Sequence, residues 1–151
     1  IAFILHKLFA EMSDFIKKDT ASAPSIDALL LKKFIKAQVK ALKKLQAPSG
    51  LWHTVLDDAD SYEEVSGSAA IACGIMKGIR MGILDDSYLP CAEKAVRGIM
   101  KNIDKDGTVL NVSGGTGMGM DADHYKNILI APMAYGQSLT ILALAEALLH
   151  L

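Results

Sequence analysis

The chain has 151 residues, and its 16 basic and 17 acidic side chains leave a formal net charge of −1. That balance argues against a nucleic-acid binder, which would carry a strong basic bias. Half of the residues (51%) are hydrophobic, yet the most apolar stretches, 69–84 and 133–149, are interrupted by Lys77 and Arg80 and by Gln137 and Glu146. They read as buried helices of one domain, with no membrane span among them.

Five helical segments are predicted in chain order. The first runs from Ile1 to about Lys18, with Phe3, Ile4, Leu5, Leu8, Phe9, Met12 and Ile16 on its apolar side. It starts without a cap, as if in mid-helix, so the expectation is a piece of something longer with no signal peptide. Ser25 is the expected N-cap of the second, which reaches about Gln46. There Leu31, Phe34, Ile35, Val39, Leu42 and Leu45 recur at helical spacing, opposite a solvated stripe formed by Lys32, Lys33, Lys36, Lys40, Lys43 and Lys44.

The third segment begins near 64–66 and ends near Met81. It is almost entirely small or apolar, with Gly74, Gly78 and Gly82 four apart. Such a row admits a neighbouring backbone at a helical cost of about 1 kcal/mol per interior glycine, which marks an inner, doubly packed helix. The fourth follows 85–87 with Pro90 in its first turn and runs to about Asn102, with Leu89, Ala92, Val96, Ile99 and Met100 inward. The fifth covers about 132–149 and is apolar nearly all round. Cys73 and Cys91 fall at different heights of one hairpin, so free buried thiols in a reducing compartment are expected.

Apolar and amphipathic segments thus alternate. The second and fourth each end in a turn (48–50 or 104–107) followed by a β-like run (51–56 or 108–112), an internal repeat of hairpin size. The fold class is therefore all-α: one domain over 1–151, forming part of an (α/α)6 toroid of alternating inner and outer helices with short β-like loop segments. Half a toroid leaves the flank of its first or last inner helix uncovered, and a homo-oligomer is expected for the chain alone.

Two polar loops, 49–68 and 114–125, occupy equivalent places in consecutive hairpins. The GGTGMG run at 114–119 lacks a Walker lysine and a strand-to-helix frame, so it is read as a glycine loop and not a phosphate cradle. The DKDG run at 104–107 has Gly115 where a closing calcium ligand would fall, so it is a turn. No histidines pair at metal spacing; neither a metal nor a cofactor is expected. The carboxylates Asp57, Asp58, Asp60, Glu63 and Glu64, with the flat faces of Trp52 and Tyr62, suit a sugar ring. A hydrated loop with Trp52 packed between helices stands beside that reading. The candidate substrate contacts are His53, Tyr62, Glu63, Ser66, Thr116 and Tyr125, at the two junctions between loop and inner helix. The competing view makes Ser66 a cap and Tyr125 a packing residue.

One order of motifs is specific in combination: G-L-W-H-x-V-L-D-D at 50–58, S-Y-x-E-x-S-x-S-A at 61–69, and K-G-I-R-x-G-x-L-D-x-x-Y-L-P-x-A-x-K-A at 77–95. D-x-D-G-x-V at 104–109, G-T-G-x-G at 115–119 and Tyr125 follow. Over about 26–149 this resembles the C-terminal half of the unsaturated rhamnogalacturonyl hydrolases (glycoside hydrolase families 105 and 88), near relatives of the unsaturated glucuronyl hydrolases. The resemblance implies an (α/α)6 barrel and a cytoplasmic enzyme that takes small oligosaccharides left by polysaccharide lyases, as in pectin degradation. In that family an aspartic acid protonates the double bond of a 4,5-unsaturated uronic acid and activates water at C5; the hemiketal then opens and the aglycone leaves. The family's catalytic aspartates and its Trp/Arg sugar-binding segment match no position here, so no catalytic residue is named. The family's Tyr-Tyr-x-Asn-Arg-Pro is replaced by Tyr125-Lys126-Asn127-Ile128.

Two other readings stay open. The run LQAPSGLW at 45–52 also resembles the Gln-and-Trp repeat of terpenoid-cyclase toroids, although 6% aromatic content is poor for a carbocation pocket. A non-catalytic helical fragment that only binds or assembles is the third.

Overall fold

The computed structural model describes residues 26–150; the helical segment expected at 1–18 and the capping Ser25 lie outside the described residues. Helix α1 spans Ile26–Lys44. Its Ala28, Ile35, Val39 and Leu42 are buried, a seam at helical spacing that faces the next helix, and most of its lysines project to solvent. Phe34, expected on the apolar side, is instead 62% exposed. It lies one residue, about 100°, around the helix from Ile35 in the seam.

The chain then passes close against the later helix at Leu89–Met100, Gly50 beside Lys94 and Ser49 beside Gly98, before entering a two-stranded ribbon. Strand β1 (Trp52–His53) pairs antiparallel with β2 (Glu63–Glu64), placing Trp52 opposite Glu64 and His53 opposite Glu63. The second β-like run, at 108–112, is reduced to an isolated bridge between Ile103 and Val109, with another between Ser113 and Ile130 beyond it.

Helix α2 (Val65–Arg80) leaves β2 directly, and twelve of its sixteen residues are buried, as an inner helix requires. In the glycine row, Gly78 and Gly82 have roles different from the one expected. A Cβ on Gly78 would lie 2.8 Å from the Leu84 side chain, so the gap admits a side chain of the following turn and not a backbone. Gly82 is already past the helix end, at φ +66°, where a left-handed residue closes it. After a 3-10 turn at Asp86–Tyr88, capped by Asp85, helix α3 (Leu89–Met100) returns antiparallel with Pro90 in its first turn. Cys91, Ala92, Ala95, Gly98 and Ile99 face inward; Met100, expected with them, is 57% exposed at the last helical position. A short helix that the sequence pattern did not announce, α4 (Ala122–Lys126), precedes α5 (Ala134–Leu148).

Helices α2 and α5 run parallel. Near their N-termini the Tyr135 hydroxyl donates to the Ser113 carbonyl, and the Ser113 N–H reaches Glu64; at their C-termini Arg80 meets Glu146. Parallel inner helices joined through an antiparallel outer one make the repeat of an α/α toroid. The core lies where α1, α3 and α5 close on α2, around Ile75, Met76, Ile99, Val109 and Val112. Helix α5 buries only Gly136, Thr140, Ala143 and Glu146. Among the described residues nothing covers Ile141, Leu142, Leu148 and Leu149, which are exposed; Leu142 and Leu149 border a groove against Ala70, Cys73 and Lys77 of α2. Both cysteines are free and buried, and burial, with the Glu146 charge adding to it, pushes the Cys73 thiol up to about 11. It is inert at neutral pH.

Candidate functional site

The first polar loop is fixed from beneath. Trp52, only 2% exposed, donates its indole N–H to the Leu42 carbonyl at 2.8 Å, and its backbone N–H goes to Ser68 Oγ at 2.9 Å. The sugar-stacking role considered for Trp52 is therefore replaced by a core role: a large ring with one donor is fully satisfied between α1 and α2. The flat face left at this rim is Tyr62, which is half-buried.

His53 turns its Nδ1 to the Ser61 carbonyl at 2.5 Å. A carbonyl only accepts, so Nδ1 carries a proton; in the neutral ring Nε2 is then the acceptor. Thr54 N–H donates to the Tyr62 carbonyl at 2.8 Å, which closes the loop between the two strands and holds His53 beside Glu63. Both are partly buried, while Glu64, the next residue along β2, is turned inward.

Glu64 is the junction of the site. It is the N-cap of α2, and its Oε1 accepts from Ser66 N–H at 3.2 Å, Ser66 Oγ at 2.7 Å and Ser113 N–H at 3.0 Å. Its Oε2 accepts from Gly67 N–H at 2.5 Å. Ser66 is thus buried, and its hydroxyl is committed to Glu64; the cap is the glutamate and not the serine.

Ser113 opens the second loop. Its Oγ shares a hydrogen bond of 2.9 Å with the Tyr62 hydroxyl, and its carbonyl receives the Tyr135 hydroxyl. Burial, and then the Glu64 charge, raise the Tyr135 pKa, so its hydroxyl keeps the proton it donates. Further out, Asp58 forms an ion pair with Lys126. The Lys126 side chain holds the Asp58 carboxyl below its usual range, and Asp58 in turn raises Lys126. The 53–66 and 114–125 loops therefore stand on one rim, at the N-terminal ends of α2 and α5.

Thr116 is exposed on the second loop. Tyr125 is partly buried and accepts from Gly119 N–H at 3.2 Å through its hydroxyl, with the His124 ring set edge-on to it. Of the six predicted contacts, Tyr62 and Ser66 join the Glu64–Ser113 network, His53 and Glu63 sit on the adjoining ribbon, and Thr116 and Tyr125 belong to the facing loop. Sequence reasoning missed the joining roles of Glu64, Ser113, Lys126 and Tyr135. Period-two alternation along β2 shows that one of Glu63 and Glu64 turns inward, but not which.

Chemically the rim offers hydroxyls, an imidazole acceptor and fixed charges, suited to a polar ligand. Among the described residues the carboxyls with displaced acidity are held low: Asp58 at the rim by Lys126, and away from it Asp85 by Ser87 and Asp106 by Thr108. They act as anions and not as proton donors.

A family model for Glycosyl Hydrolase Family 88 matches residues 8–151. The curated unsaturated rhamnogalacturonyl hydrolase YesR of Bacillus subtilis (strain 168) is 38% identical over 115 residues, which are 76% of this chain and 32% of that protein. Among solved structures, a possible member of the GH105 family from Salmonella enterica serovar Paratyphi A superposes with a TM-score of 0.86 at 42% identity, covering 92% of this chain and 37% of that one. Another possible GH105 member, from Klebsiella pneumoniae, gives 0.83 at 42% identity over 92% and 36% of the two chains. The chain spans about a third of the length of these relatives. With a partial helical toroid, a polar rim at one end of its inner helices and these relatives, the chain belongs to Glycosyl Hydrolase Family 88.

Proposed function

We propose that this chain forms part of the wall of a pocket for 4,5-unsaturated uronyl oligosaccharides, in an enzyme that hydrates the double bond and so releases the aglycone. The observation that carries the reading is the joining of two polar loops into one rim by Glu64, Ser113 and the Asp58–Lys126 pair. His53, Tyr62, Glu63, Thr116 and Tyr125 are the proposed substrate contacts, and Ser66 supports them from below through Glu64. Tyr62 offers a ring face to the sugar, His53 Nε2 accepts a sugar hydroxyl, and Thr116 donates from the open side. The 38% identity to an unsaturated rhamnogalacturonyl hydrolase supports this substrate class. Free buried cysteines accord with a reducing, cytoplasmic setting. The proposal assigns no catalytic acid to these residues and expects the chain alone to bind without turnover, and to pair through its uncovered α5 flank.

The test is saturation-transfer NMR of the chain with an unsaturated rhamnogalacturonyl disaccharide and with its saturated counterpart. Transfer to the unsaturated sugar, lost in His53→Ala and Tyr62→Ala, is the expected result. Equal transfer to both sugars, or none to either, overturns the proposal. Turnover, seen as loss of the double-bond ultraviolet absorbance and abolished by changing Asp57 or Glu63, would move the chemistry into this segment.

A further inference from the structure

We propose that Glu64 is a positioning residue: its Oε1 sets the 113–119 loop against the start of α2 and thereby fixes the spacing between Tyr62 and the glycine-rich side of the rim. Two observations carry this. Glu64 is 8% exposed, yet it does more than cap its helix, because the Oε1 that serves Ser66 also takes the Ser113 N–H from 49 residues away. Ser113 in turn has no free polar atom. Its N–H goes to Glu64, its hydroxyl meets Tyr62 and its carbonyl receives Tyr135. The neighbouring amides pair elsewhere, Gly114 N–H with the Leu129 carbonyl and Ala131 N–H with the Val112 carbonyl. The Glu64 carboxylate is therefore the one acceptor holding the Ser113 amide.

The two carboxylate oxygens divide the work. Oε2 serves Gly67 N–H and so the helix start alone; Oε1 serves both helix and loop. Buried, charge-assisted bonds of this kind persist where neutral ones at the surface open. Beyond the bolt at Ser113, residues 115–118 are exposed; the base of the loop that carries Thr116 meets the start of α2 through this carboxylate and through the Val65 N–H on the Asn111 carbonyl. The consequence for the sugar rests on the proposed function; the ordering of the loop does not.

Amide hydrogen exchange on the full 151-residue chain separates positioning from capping. Glu64→Gln keeps an oxygen for Ser66 and Ser113 while setting an NH2 against Gly67 N–H; Glu64→Ala removes both acceptors. The expected result is a Ser113 amide that stays within about threefold of its unaltered protection in Glu64→Gln but exchanges at least tenfold faster in Glu64→Ala, with Gly67 opened in both. Equal opening of Ser113 in the two variants, or no change in either, overturns the proposal. Should the variants fail to fold, the unaltered chain decides. Ser113 and Gly67 share one carboxylate and must be protected alike, and a freely exchanging Ser113 beside a protected Gly67 overturns it. In parallel, saturation transfer from the unsaturated disaccharide should fall about tenfold in Glu64→Ala and recover in Glu64→Gln. If the unaltered chain binds no disaccharide while the exchange pattern holds, the substrate reading fails and the positioning role stands.

Discussion

Arg80 and Glu146, 66 residues apart, close the C-terminal ends of the two parallel inner helices with a two-pronged ion pair, Nε to Oε1 at 2.6 Å and a second guanidinium nitrogen to Oε2 at 3.2 Å. Bidentate geometry fixes orientation as well as distance. Glu146 is nearly buried, whereas the Arg80 side chain is 43% exposed. Water screens the arginine, so the pair is worth less than a buried one. Glu146→Ala should lower stability by about 1–2 kcal/mol in urea unfolding, and Arg80→Lys by less than Glu146→Ala. No change in the midpoint for Glu146→Ala would show the pair to be a bystander.

The crossing of the 45–51 segment over α3 depends on Gly50. Its φ is +100°, and an added Cβ would stand 2.2 Å from the Lys94 carbonyl oxygen. Gly50→Ala should therefore cost about 3 kcal/mol or more, from left-handed strain and overpacking together. Gly107, at φ +87° with nothing within 4 Å of an added Cβ, isolates the strain. Gly107→Ala should cost about 1 kcal/mol. Equal losses in thermal or urea unfolding would contradict the close approach.

Trp52 is the single tryptophan and belongs to the core. Its emission should be blue-shifted, inaccessible to iodide and unmoved by saturating disaccharide. Trp52→Phe should cost about 2–4 kcal/mol through lost volume and the lost indole bond to the Leu42 carbonyl, which keeps only the Leu45 N–H. A ligand-dependent emission change would return this ring to the binding surface.

The Asp58–Lys126 tie sets a pH window. Asp58 has a lowered folded pKa, so its contribution is complete above the unfolded value of about 3.9 and is lost as pH falls through the folded one. Lys126 has a raised pKa, so its share is complete below about 10.4 and is lost as pH rises through the folded value. The outer tie between the two loops should hold across neutral pH and open in strong acid or base, leaving the Glu64–Ser113 junction beneath it. Asp58→Asn should remove that acid dependence from the Lys126 side-chain NMR shifts; an unchanged titration would count against the tie.

The exposed flank of α5 carries Ile141, Leu142, Leu148 and Leu149, an apolar strip without cover among the described residues. Patches of this kind drive association. Light scattering of the isolated chain should give a dimer or larger species, which Leu142→Lys with Leu148→Glu disperses. A monomer at high concentration that also fails to bind a hydrophobic dye would refute the expectation.

By itself the sequence determined the four long helices among the described residues and their order, but not the short α4. Apolar and small residues on nearly every side mark α2 as inner, the seam of Ile35, Val39 and Leu42 marks α1 as outer, and Pro90 and the 85–87 turn place the start of α3. These features are periodic and local, so they survive without knowledge of the neighbours. Tertiary structure alone decided which side chains of the polar loops face the core. Trp52 and Tyr62 look alike in sequence, yet the indole is buried against Leu42 while the phenol reaches Ser113, partners brought up from distant parts of the chain. Glu63 and Glu64 differ because a strand alternates and its register fixes the phase. Ser113 becomes a bolt only because the chain returns it to the start of α2, a contact across 49 residues that no local pattern encodes.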